Sequence, residues 1–271
     1  MSDENERILA ERYGGSDHPK AEPWSDTIGV IAAHRSVRKF AERPLPPNTL
    51  DILVACAQSA ATSSNLQSWS VVAVTEPELK AELSKVADNQ APVVSCPLFL
   101  VWVADLSRAA AIAEAQCRDS TILPFLDTLF VAFVDAAIAA QTAVIAAESL
   151  GLSTVYVGGV RNDSERVCEL LDLPAYATPV SGLCIGYAAA AGKVKPRLPQ
   201  AAILHHQRYH ADAWRPFVGA YDEAMRAFST ATARPPQSWT ERVTQILNAL
   251  KSPQEHNRLR AALERSRFTL R

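Results

Sequence analysis

The chain has 271 residues, of which 48% are hydrophobic and 21% charged, with a formal charge of −2. That composition suits a globular protein with a sizeable core and leaves no strong basic field for nucleic acid or acidic membranes. Its 5 cysteines, Cys56, Cys96, Cys117, Cys168 and Cys184, are odd in number, widely spaced and without a Cys-x-x-Cys, which points to core thiols rather than a disulfide framework or zinc site.

The opening stretch "MSDENERILAERYGG" is acidic and lacks an apolar signal region, so a cytoplasmic location is expected. It predicts a helix over 4–13 ending at Gly14-Gly15, then a linker. Trp24, Ile28 and Ile31 fall at helical spacing before His34. Pro46-Pro47 precede an apolar stripe of Leu50, Leu53, Val54 and Ala57, predicting a further helix. "WSVVAV" reads as a buried strand, and Thr75-x-x-Glu78 as a capping box opening a helix. "PLFLVWVAD" is a second strand, and 107–121 is ambiguous.

A long apolar helix is expected from about 123 to 150, stopping at Gly151. Its segment 128–147 is long enough to span a bilayer, but Asp135 and Gln141 interrupt it and much of it is alanine, so it reads as a helix buried in a core or dimer interface. "STVYVGGV" is a third strand, Asn162-x-x-Glu165 a second capping box, and "VSGLCIGYA" a fourth strand. Polar helices near 220–230, 241–250 and 253–265 read as peripheral.

Four constellations carry chemistry. In "HRSVRKF", 34–40, two guanidiniums and a hydroxyl lie within five positions. Arginine forks match phosphate oxygens, and in an extended chain Ser36 and Arg38 share one face. Alone, the segment reads more readily as a solvated basic turn. Thr62-Ser63-Ser64-Asn65-Leu66-Gln67 offers short donors to a polar heterocycle or a phosphate, or simply forms a turn. Gly158-Gly159 after Tyr156 lets backbone approach a flat ligand, or ends a strand. Lys193, Lys195 and Arg197, stiffened by Pro196, can neutralise an anion or sit in solvent. His205, His206 and His210 lack a carboxylate or cysteine to complete a metal site, so no metal is expected.

Taken in order, "HRSVRKF", "AATSSNLQSWSVVAV", "PLFLVWVADLSR", "AAESLGLSTVYVGGV" and "KVKPRLP" resemble the bacterial oxygen-insensitive NADPH nitroreductases and NADPH–FMN oxidoreductases of the nitroreductase superfamily. The resemblance implies an α+β sandwich, a central mixed sheet flanked by helices with a helical C-terminal extension. It also implies a homodimer binding FMN between subunits, with NADPH or NADH as co-substrate. It assigns His34, Arg35, Ser36 and Arg38 to the FMN phosphate and ribityl chain. Thr62, Ser63, Ser64 and Asn65, with Gln90, would contact the flavin. Tyr156, Gly158 and Gly159 would lie along the ring, and Lys195 and Arg197 would complete the contacts. The chemistry would belong to the flavin, with no catalytic side chain.

Relatives grip the 2′-phosphate of NADPH with basic residues in a C-terminal loop. Here "TATARPPQSW" offers Arg234. The implied organisation is 1–23 as helix and linker, 24–210 as the FMN-binding core, and 211–271 as an extension packing on core or partner. The implied reaction is ping-pong hydride transfer from NADPH to a nitroaromatic, quinone or similar flat acceptor, in a pocket lined by 107–126 and the C-terminal arm. Two alternatives share the pocket: a flavin reductase supplying reduced FMN to a monooxygenase, and a non-catalytic flavin-binding protein.

Overall fold

The computed structural model describes residues 2–15, 18–249 and 253–269. In chain order the elements are α1 (Ser2–Arg12), α2 (Asp26–Ala32), α3 (Thr49–Gln58), β1 (Trp69–Val74), α4 (Pro77–Val86), α5 (Ala91–Ser95), β2 (Leu98–Asp105), α6 (Ser107–Ala115), α7 (Leu126–Ser149), β3 (Ser153–Val157), α8 (Ser164–Leu170), β4 (Ala177–Gly186), α9 (Val218–Ala231), α10 (Trp239–Ala249) and α11 (Pro253–Arg265). They gather into two compact units, a helical unit of Met1–Arg35 with Gly192–Lys251 and a sheet unit of Ser36–Ala191 with Ser252–Arg271. Both units are discontinuous in sequence, unlike the chain-order division at 1–23, 24–210 and 211–271.

The sheet unit is built on strands in the order β1-β2-β4-β3. Every neighbouring pair is antiparallel, where a mixed sheet was expected. The parallel pairing is a bridge from Ser36 to Thr154, at the outer edge of β3. The chain enters beside β3 as an extended segment, and Phe40 then bridges Ala188 in antiparallel sense.

Helices cover both faces of the sheet, so all eight residues of β2 are buried. Leu98, Leu100, Trp102 and Ala104 point into a core shared with Leu53, Ala57 and α7. Phe99, Val101 and Val103 point the other way, against Leu83, Val93 and Val167. This two-sided burial is why "PLFLVWVAD" shows no polar alternation. Each fully buried Leu or Val contributes about 1.5–3 kcal/mol relative to exposure. Gly182 on β4 admits the Phe99 ring, since a Cβ there would meet Phe99 Cζ at 2.4 Å.

The helix α7 is long and apolar enough to cross a membrane, yet one face lies in the sheet unit's core. Ala132, Ala136, Ala139, Ala140, Ala143 and Ala147 are buried there, and these small side chains let the helix approach the strands closely. Gly151, at φ +75°, terminates it as expected.

The ambiguous stretch after β2 forms α6, and the short α5 was not anticipated. The two expected capping boxes do not form. Helix α4 is capped at Glu76 without a side-chain bond, while α8 uses Asp163, whose side chain accepts from the Arg166 N–H. The C-terminal stretch is not peripheral: Leu263 on α11, and Phe268 beyond the helix's end, are buried in the sheet unit's core, with Phe268 edge-on to Tyr176 at 6.2 Å.

In the helical unit, α1 ends at Gly14 and Gly15, at φ +67° and +76°, and the Gly15 N–H donates to Ala10 O at 2.8 Å. Ser238 and Glu241 form a reciprocal capping box on α10, with bonds of 2.8 and 3.1 Å.

Candidate functional site

In the sheet unit, Val37 is buried and its N–H donates to Thr154 O at 2.9 Å. That pairing makes the segment extended, so Ser36 and Arg38 are both exposed on the opposite side from Val37. The alternation read from sequence is present. A hydroxyl and a guanidinium project together from an anchored backbone.

The 62–67 loop is held in an uncommon shape. Ser64, Asn65 and Gln67 all have positive φ, at +49°, +54° and +52°. Each such residue costs on the order of 1 kcal/mol and persists only where its surroundings enforce it. Two groups supply that enforcement. The Ser63 N–H donates to Oδ1 of Asp135 at 3.0 Å, and that accepting residue, on α7, is only 2% exposed. Arg108 donates to Gln67 O at 2.6 Å and Trp69 O at 2.7 Å.

Arg108 is itself anchored by Asp105, at 2.9 Å, and by the Ser70 hydroxyl at 2.8 Å. Burial pushes the Asp105 carboxyl up, but hydrogen bonds from Ser107 and Ser70 and the charge of Arg108 together outweigh it and hold the group below its ordinary value. Asp105, Arg108 and Asp135 stand outside the four sequence constellations, yet support the loop. The signal was a charged residue in each of two otherwise apolar runs.

Gly158 and Gly159 follow β3 in a 3-10 turn. A Cβ on Gly159 would lie 2.9 Å from Ala87 Cα and 3.2 Å from Gln90 Nε2. The glycine is therefore required by a close approach to α4's end, and it brings the Gln90 amide beside the Gly-Gly turn. Tyr156 is 38% exposed, and its hydroxyl lies 3.4 Å from Gln141 Oε1 on α7.

A cleft of about 850 Å³ adjoins the 62–67 loop, lined by Asn65, Gln67, Trp69, Ile112 and Arg118 among others. Helix α6 forms one wall.

In the helical unit, Lys195 and Arg197 are exposed on either side of buried Pro196, as an extended segment requires. Lys195 Nζ lies 5.8 Å from the Phe228 ring centroid. Arg35 is exposed, its guanidinium donates to Ala33 O at 3.1 Å, and Gly192 packs over its stem. His34 is half-buried. Arg234 is exposed beyond the end of α9, its N–H bonded to Ser229 O. His205 packs on Tyr209 at 4.3 Å, and among the described residues no three His, Cys, Asp or Glu side chains converge as a metal site requires.

Two family profiles match the chain, "Nitroreductase family" over residues 31–187 and "Nitroreductase family, C-terminal domain" over 195–271. The chain belongs to the nitroreductase family. This nitroreductase is 38% identical over 232 residues to the "FMN reductase (NADPH)" of Bacillus subtilis, covering 84% of this chain and 92% of the relative. The solved structure of NfrA2 from B. megaterium is 36% identical with a TM-score of 0.86, covering 92% and 100% of the two chains. The NADPH:FMN oxidoreductase of Vibrio harveyi, solved in complex with NAD+, is 35% identical with a TM-score of 0.75, covering 88% and 98%. The nitroreductase fold expected from the motif order is the fold observed, with its sheet antiparallel.

Proposed function

We propose that this nitroreductase is an FMN-dependent oxidoreductase that takes hydride from NADPH or NADH and delivers it to a flat acceptor such as a nitroaromatic or quinone. The observation that carries the reading is the pairing of Ser36 and Arg38 on one exposed face of a backbone anchored to β3. A phosphate monoester asks for that donor chemistry: one fork-shaped cation and one hydroxyl.

The rest of the sheet unit's donor set fits a flavin. Thr62, Ser63, Ser64 and Asn65 present short polar groups on a pre-shaped loop, and the Gln90 amide stands beside Gly159. A pre-shaped loop loses little entropy on binding. Tyr156 and Gly158 are assigned to the ring face. In the helical unit, His34, Arg35, Lys195 and Arg197 are assigned to the phosphate and ring, and Arg234 to the 2′-phosphate of NADPH.

Bound FMN supplies two-electron hydride chemistry. The protein's contribution is to orient it, and Arg35 or Lys195 would hold positive charge where reduction makes the ring anionic. Donor and acceptor take turns at one face, so the kinetics are ping-pong.

The working unit is a homodimer. Leu126, Phe130, Val134 and Ile138 recur every four residues on α7's outer face, and all are exposed, Phe130 by 62% and Val134 by 52%. A stripe of that size on one helix calls for a partner surface, and a second copy is the occupant proposed. The enzyme is assigned to the cytoplasm.

Relatives named FMN reductase support a second reading, in which reduced FMN leaves for a monooxygenase. Steady-state assays with NADPH and NADH against nitroaromatics, quinones and free FMN discriminate. Parallel ping-pong lines with a nitroaromatic or quinone support the first reading. Turnover only with added FMN, releasing reduced flavin, supports the second, and no NAD(P)H oxidation with any acceptor overturns both.

A further inference from the structure

Arg12 lies outside both matched family segments, 31–187 and 195–271. It ends α1 and is half-buried in the helical unit. Its guanidinium reaches three backbone carbonyls on two separate segments. Nε and Nη2 donate to Ala32 O at 3.1 and 2.9 Å, Nη2 also donates to His34 O, and Nη1 donates to Lys195 O at 2.9 Å. The Arg12 carbonyl in turn accepts from the Arg197 N–H at 2.8 Å.

The surroundings reinforce this tie. A Cβ on Gly14 would lie 3.4 Å from Pro196 and 3.0 Å from Ala224, so α1's left-handed turn seats directly on the Lys-Pro-Arg segment. The Tyr221 hydroxyl donates to Pro196 O at 3.0 Å. Ala32 O belongs to the last turn of α2, where helix carbonyls have no intrahelical partner and a cation is favourable.

We propose that Arg12 is a positioning residue for the cofactor: it sets the separation between the segment bearing His34 and Arg35 and the segment bearing Lys195 and Arg197. This inference rests on the FMN reading above. Only a planar fork with several fixed donors spans these carbonyls at once, and a lysine ammonium cannot. The N-terminal helix thereby becomes part of the cofactor site's framework without touching the cofactor.

The test is FMN titration of apoprotein by flavin fluorescence, with thermal melts, for wild type, Arg12→Ala, Arg12→Lys and Arg7→Ala. Arg7 sits on the same helix and pairs with Glu4 and Glu11 at the surface. Arg12→Ala is expected to raise the FMN Kd about tenfold or more, Arg12→Lys by less, and Arg7→Ala not at all. Arg12→Lys keeps the inference testable should Arg12→Ala fold poorly. Because Arg12 acts through Lys195, its loss and that of Lys195→Gln should be non-additive in the double variant. Wild-type protein that takes up no FMN overturns the functional reading and this inference with it. Normal wild-type uptake with unchanged Kd in both Arg12 variants, or additive losses in the double variant, overturns this inference alone.

Discussion

The Ser63 N–H and the Asp135 carboxylate meet at 3.0 Å, joining a surface loop to the middle of the core helix. Asp135 Oδ1 accepts that bond, while Oδ2 is buried without a hydrogen-bond partner among the described residues. An ionisable group 2% exposed is costly to bury, and the bond to Ser63 is what it returns. Asp135→Ala should therefore destabilise the fold by about 1–3 kcal/mol, read from urea unfolding, and weaken FMN binding as the loop relaxes. Asp135→Asn keeps an acceptor and should lose less. Equal stability of wild type and Asp135→Ala would contradict the loop-anchoring role.

Arg38→Ala tests the phosphate assignment. A charge-assisted bond is worth roughly 1.5–3 kcal/mol, so FMN affinity should fall about 10- to 100-fold. The melting temperature of the apoprotein, measured alongside, separates a folding defect from a loss of phosphate binding. Titration with riboflavin, which has no phosphate, should show no difference between variant and wild type.

Gly159→Ala places a methyl 2.9 Å from Ala87 Cα and 3.2 Å from Gln90 Nε2. Backbone on one side cannot yield, so the Gln90 amide must move. The expected result is a loss of stability of about 1–3 kcal/mol with weaker FMN binding. An alanine variant with wild-type stability and affinity would show the close approach to be unimportant.

Phe130→Asp puts a charge in the middle of α7's exposed apolar stripe. Sedimentation should show wild type as a dimer and the variant as a monomer at micromolar concentration. A monomeric wild type would remove the dimer from the account.

Asp105 gives a pH dependence. Its carboxyl is held below the ordinary value in the folded protein, so the stability it contributes is present above the unfolded pKa of about 3.9 and lost as pH falls through the folded pKa. Denaturation midpoints should drop as pH is lowered below about 4. Asp105→Asn should flatten that dependence while costing stability at neutral pH.

The strands and the long helix were legible because each is a largely apolar run, with Pro97 before β2, Gly151 and Gly158 around β3, and Pro124 and Gly151 around α7. Sheet direction was not, since a strand covered on both faces reads alike in parallel and antiparallel sheets, as β2 does. Ser36 and Arg38 were legible because extended backbone alternates. Asp135 and Arg108 were missed as loop anchors because their partners are backbone groups 72 and about 40 positions away, and no local pattern encodes such a pairing. The burial of the C-terminal stretch was hidden for a related reason: Leu263 and Phe268 are a few apolar residues among polar ones. The capping boxes at Thr75 and Asn162 matched a pattern, but neighbouring Glu76 and Asp163 took the cap positions.

The most direct measurement is an anaerobic titration of the purified, FMN-reconstituted protein with NADPH, followed in the flavin's visible band. The account predicts uptake of one FMN per chain and full bleaching by one equivalent of NADPH or NADH, with colour restored on adding a quinone. A protein that stays colourless with FMN present, or a bound flavin that neither nucleotide reduces, would contradict it.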